Sequence, residues 1–70
     1  MLMGIWETMR AFMLLSYVRR VKLLQEFNLW MADYKNKRHE DILVDVFHRL
    51  KTEGRLEEFK ERVISLRTNQ

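Results

Sequence analysis

The chain has no cysteine, no proline and only two glycines, Gly4 and Gly54, in 70 residues. Without cysteine there are no disulfides and no thiolate-based zinc sites, which excludes the two commonest staples of very small folds. A domain of this size buries only about 60 % of the surface that its unfolded chain exposes, so its core alone gives thin stability. Association with another surface is the remaining route to more. Absence of cysteine also suits a reducing compartment, and the cytoplasm is the expected location. The scarcity of proline and glycine removes the punctuation of hairpins, and no Asn-Gly or Asp-Gly pair occurs. Helix is the default that remains.

No long hydrophobic run is present either. The most apolar stretch, Ala11 to Val18 (AFMLLSYV), is fenced by Arg10 on one side and by Arg19 and Arg20 on the other, whereas a spanning helix needs about 20 apolar residues. No membrane span is expected. Glu7 precedes the run and no small-x-small triplet follows it, which argues against a secretion signal. Met3-Gly4-Ile5-Trp6-Glu7-Thr8 matches a myristoylation pattern only if Met3 rather than Met1 starts the chain.

The residue constellations of catalysis are missing as well. His39-Glu40 is not followed by the second histidine of the HExxH zinc motif. Asp41, Asp45 and His48 share a helix face at steps of four and three, a set that can hold a divalent ion but more often forms a solvated face. Ser16 and Ser65 have no base placed beside them by the sequence, and there is no glycine-rich phosphate loop. Neither an enzyme nor a bound metal or cofactor is expected.

What the sequence does contain is 47 % apolar and 33 % charged residues, the composition of a chain that folds. On a helical wheel, Leu2, Trp6, Met9, Met13, Leu24, Phe27 and Met31 fall in one stripe. Ile5, Phe12, Leu23 and Trp30 flank it on one side, and Met3, Leu14, Tyr17 and Val21 on the other. Read as one helix over residues 3–28, this segment carries an apolar arc of roughly 200 degrees, about twice the usual width. Leu15, Val18 and Leu29 fall outside the arc, and Arg20 inside it. Asn28 marks the helix end, because asparagine tolerates the left-handed conformation found there.

The polar stretch Asp33 to Asp41 follows, with Tyr34 as its apolar member and Asn36 as a candidate N-cap. Ile42, Leu43, Val46, Phe47 and Leu50 then predict a helix over 37–52, stopped by Gly54. Leu56, Phe59, Val63 and Leu66 predict another over 55–67. The expected fold is all-α: a three-helix domain in which the long N-terminal helix packs on a C-terminal αα-hairpin, within a dimeric helical bundle.

Two short helices cover about 100 to 140 degrees of a long one, so apolar surface is left over. That surplus predicts a regulatory or adaptor protein acting by protein–protein binding, as a homodimer or with a partner protein. Its expected interface is Trp6, Met9, Phe12, Met13, Tyr17 and Leu24, where methionine and aromatic side chains suit adaptable contact. The alternative is nucleic acid. Residues 1–38 carry seven basic and three acidic side chains, a net of +4, against six and seven in residues 39–70. Arg19, Arg20, Lys35, Lys37 and Arg38 are the candidate phosphate contacts, with Tyr34 as a stacking platform. Glu57, Glu58 and Glu61 would repel phosphate from the last helix, and Leu15, Val18 and Leu29 spoil the clean polar face of a lipid-surface helix. If the N-terminal segment is the interface, Met13→Glu should lower the molar mass seen by light scattering while circular dichroism still reports helix.

Overall fold

The computed structural model describes residues 4–68. These form four helices: α1 (Ile5–Met13), α2 (Tyr17–Glu26), α3 (His39–Thr52) and α4 (Leu56–Thr68), with a short 3₁₀ turn, Ala32–Asn36, between α2 and α3. No strand occurs among the described residues. The all-α expectation and the two C-terminal helices stand, but the single helix over 3–28 does not. A straight helix of that span would run about 39 Å, longer than the 35 Å greatest extent of the molecule.

The break falls inside the most apolar stretch. Ser16 is extended (φ −62°, ψ 158°) and its Oγ accepts the Arg19 N–H at 3.3 Å, which makes it the N-cap of α2. A serine within an apolar run has an alternative to helix, because its hydroxyl satisfies one of the amides orphaned at a helix start. The wide arc on the wheel is therefore two narrower stripes on helices with different axes. Leu15, expected outside the arc, turns into the core at the bend and is buried, while Leu14 beside it is exposed. Leu2 and Met3 of the expected stripe lie outside the described residues.

Asn28 ends α2 as its residue type suggests. Its φ is 58°, and the Leu29 N–H reaches the Leu24 carbonyl at 2.7 Å while the Asn28 N–H reaches that of Gln25 at 3.0 Å, the paired bonds of a Schellman motif. The motif also requires a hydrophobic contact near the helix end, and Leu29, expected outside the arc, is fully buried. Gly54 closes α3 in the same way: φ is 69°, with Arg55 N–H on the Leu50 carbonyl at 2.9 Å and Gly54 N–H on that of Lys51 at 3.2 Å. Asn36 is not an N-cap. It sits in the 3₁₀ turn, and α3 begins at His39 after Arg38, with Glu40 and Asp41 in its first turn where the helix dipole favours them.

Each helix contributes one phenylalanine to a common knot: Phe12 from α1, Phe27 at the end of α2, Phe47 from α3 and Phe59 from α4. Phe59 stands at its centre, with ring centroids 5.5 Å from Phe12, 5.2 Å from Phe27 and 5.6 Å from Phe47. The tilted and edge-on geometries are those that aromatic quadrupoles prefer. Leu23, Leu24, Val46, Leu50 and Val63 fill the space around the rings. On the outside, Arg62 of α4 donates twice to the Glu26 carboxylate of α2, at 2.7 and 3.1 Å, and this hydrogen bonding holds the Glu26 carboxyl below its ordinary pKa. Phe59→Ala is expected to cost about 3–5 kcal/mol, a large share of a small domain's stability. Urea unfolding followed by circular dichroism measures it.

Candidate binding surface

The bend at Leu14–Ser16 sorts the apolar residues of the N-terminal half into two groups. Of the six expected interface residues, Trp6 and Tyr17 are exposed, at 76 % and 53 %. Phe12 and Leu24 are core residues, 2 % exposed, and present nothing outward. Met9 and Met13 are half-buried against the core. The residues that join Trp6 and Tyr17 outside are Leu14 and Val18, exposed at 64 % and 60 %. On α1 the turn spacing carries Trp6 through Arg10 to Met13 and Leu14, and α2 continues the line through Tyr17 and Val18. The result is a ridge of exposed side chains, apolar at Trp6, Leu14, Tyr17 and Val18 and charged at Arg10, that runs along α1 and over the bend. Leu14 and Val18 were hidden in the sequence because the wheel assumes one axis; Ser16 read as a cap is the signal that reveals them.

Four of the five basic residues expected at phosphate are drawn into different intramolecular roles. The Arg19 guanidinium donates to the Leu66 carbonyl, in the last turn of α4, at 3.3 Å. Arg20 turns toward Met13, its Nη1 3.5 Å from the sulfur. Lys37 pairs with Asp33 at 3.7 Å and stands 5.8 Å from the centroid of the Tyr34 ring, and Arg38 pairs with Asp41 at 3.4 Å. Lys35 is exposed. Tyr34, expected as a stacking platform, is 2 % exposed, so its faces are closed to a nucleic-acid base.

Tyr34 is instead the pin of a latch. Its hydroxyl donates to Asp45 Oδ2, and Arg49, one turn further along α3, donates through Nη1 to the Tyr34 oxygen at 3.4 Å and to the Leu29 carbonyl at 3.0 Å. Through Nη2 it reaches the Asn28 carbonyl at 3.5 Å. Asp45, one member of the acidic and histidine face considered for metal, is therefore engaged by a phenol. Among the described residues no group of three or more His, Asp or Glu side chains is placed to hold a metal ion. The latch ties the connection after α2 onto α3, and with it Trp30, whose ring meets Tyr34 edge-on at 5.7 Å. Trp30 in turn forms one wall of a shallow groove whose other walls include Met13, Tyr17, Val21 and Ile42.

No helix among the described residues is long and apolar enough to cross a membrane. Compared with known proteins, the chain matches no family model, no curated protein and no solved structure. The ridge and the groove must be interpreted from their own chemistry.

Burial, and then the bond to Asp45, hold the Tyr34 phenol above its ordinary pKa of 10.0. A raised phenol pKa favours the neutral form in the fold, so its contribution to stability is complete below the unfolded value and is lost as pH climbs through the higher folded one. Tyr34→Phe should therefore cost about 1–3 kcal/mol at neutral pH, since it leaves Asp45 without its donor. The gap between wild type and variant should then shrink as pH rises past about 10, measured by urea unfolding at each pH.

Proposed function

We propose that this protein is a small non-enzymatic regulatory or adaptor protein that acts by binding another polypeptide, and that it does so as a homodimer joined through the ridge of Trp6, Leu14, Tyr17 and Val18. The observation that carries this reading is the exposure of four large apolar side chains on α1, at the bend and at the start of α2. Single exposed apolar residues are ordinary, whereas several large ones on successive turns favour an interaction surface. Tryptophan and tyrosine at such a place supply rigid contact area at little entropic cost.

Energetics point the same way. A cysteine-free domain of this length has one modest core and no covalent cross-link, so covering the ridge with a second copy adds apolar burial that the chain cannot supply alone. A twofold pairing needs only one self-complementary patch and is the commonest assembly. Basic side chains support a nucleic-acid role less well, because Arg19, Lys37 and Arg38 each have an intramolecular partner.

Light scattering from low to high micromolar protein tests the reading. Wild type should run at twice the chain mass of 8.7 kDa, and the double variant Leu14→Glu with Val18→Glu should run as a folded monomer. A wild-type monomer throughout that range would sink the homodimer.

A further inference from the structure

Arg20 is held in a way that its charge does not explain. Its Nε is buried with no hydrogen-bond partner. Its Nη1 rests on the Met13 thioether at 3.5 Å, a weak acceptor, and its guanidinium carbon lies 6.0 Å from the centroid of the Tyr17 ring. Neither contact replaces a carboxylate, and a buried guanidinium N–H without an acceptor is costly to keep. The ion pairs of the fold go to Lys37, Arg38, Arg55, Lys60 and Arg62. No Asp or Glu among the described residues is paired with Arg20.

The surroundings are apolar. Arg20 lines the same groove as Met13, Tyr17, Val21, Trp30 and Ile42, and the latch of Tyr34, Asp45 and Arg49 holds the Trp30 wall in place. A small, partly open groove suits a protruding side chain better than an enclosed small molecule. The described residues offer no sheet edge on which an extended peptide could add a strand, and a helix laid across neighbouring helices is a recognition mode that needs none. On such a helix, side chains three or four apart stand side by side, which places one apolar group and one charged group against neighbouring parts of the floor.

We propose that this groove docks an acidic amphipathic helix of a partner protein, which sets an Asp or Glu carboxylate on Arg20 and an apolar side chain between Tyr17, Trp30 and Ile42. The proposal rests on the binding role argued above and adds the chemistry of the partner. Charge complementarity carries it: Arg20 has no acidic partner among the described residues, its Nη1 meets only the Met13 sulfur, and a guanidinium pairs with carboxylate through charge-assisted hydrogen bonds.

The test is selection followed by substitution. A phage library of random peptides, about 14 residues and so long enough for three to four helical turns, is panned against the full chain. Enriched sequences should carry Asp or Glu three or four positions from a large apolar residue. The synthetic form of the best binder should lose about tenfold or more in affinity toward Arg20→Met, and equally when its own Glu is changed to Gln. It should also shift the Arg20 Nε–H resonance of the labelled protein. Arg20→Met should melt at or above the wild-type temperature, because it removes an unpartnered buried donor and not a structural bond.

Absence of any binder, binders without the acidic signature, binders that hold Arg20→Met as tightly as wild type, or a lowered melting temperature in that variant would each overturn the proposal. So would loss of a wild-type dimer in Arg20→Met by light scattering, which would make a second copy the occupant. A dimer that depends on Leu14 and Val18 but not on Arg20, with no acidic binder selected, would remove the groove proposal and leave the homodimer. Acidic binders that depend on Arg20, on a chain that is monomeric throughout, would do the reverse.

Discussion

The rest of the structure depends on the break at Ser16, where the serine hydroxyl accepts the Arg19 amide and caps α2. Without a cap at that point the apolar stretch is a good helix throughout, and its residues would share one axis. With the cap the chain turns, and Phe12 of α1 and Phe27 at the end of α2 both pack on the Phe59 ring. Leu15 is driven inward at the bend while Leu14 and Val18 are turned out. The core and the candidate binding surface are two results of the same break.

The fold is held together by two kinds of contact that act in series. Aromatic and aliphatic burial around Phe59 supplies the bulk of the attraction, in proportion to the area removed from water and with little directional preference. Direction comes from polar groups. Arg49 satisfies the Leu29 carbonyl and reaches that of Asn28, while the Tyr34 hydroxyl donates to Asp45, so the connection between α2 and α3 is fixed in register on the α3 surface. A polar network in a partly buried setting is costly when incomplete. That makes the latch a better determinant of where Trp30 sits than any apolar contact would be. Arg55 adds to the same side of the molecule, its guanidinium 5.0 Å from the Phe27 ring centroid just after the Gly54 turn.

Against this background Arg20 stands apart. The fold finds partners for Arg19, Arg49, Arg55 and Arg62, through helix-end carbonyls, a phenol or carboxylates. It leaves Arg20 with a sulfur atom and a ring. Natural proteins depart from full polar satisfaction mainly at functional positions, and here the departure coincides with a groove beside the exposed ridge. The ridge and the groove share Tyr17.

The sequence by itself determined that the protein is helical and where most of the helices stop. Lack of proline and scarcity of glycine leave no other backbone. Asn28 and Gly54 adopt the left-handed conformation that their side chains permit, and the spacing of Val46, Phe47, Leu50, Phe59 and Val63 names most of the C-terminal core. These are local properties, set by sterics and periodicity within a turn or two. Tertiary structure alone decided the bend, the burial of Leu29 and Tyr34, and the isolation of Arg20. Ser16 is compatible with both a helix interior and a cap, and only the packing of two short helices around one phenylalanine selects the cap. Whether a tyrosine or an arginine in a polar stretch faces solvent depends on partners distant in sequence, Asp45 and Arg49 for the one and none for the other, and no local pattern encodes that pairing.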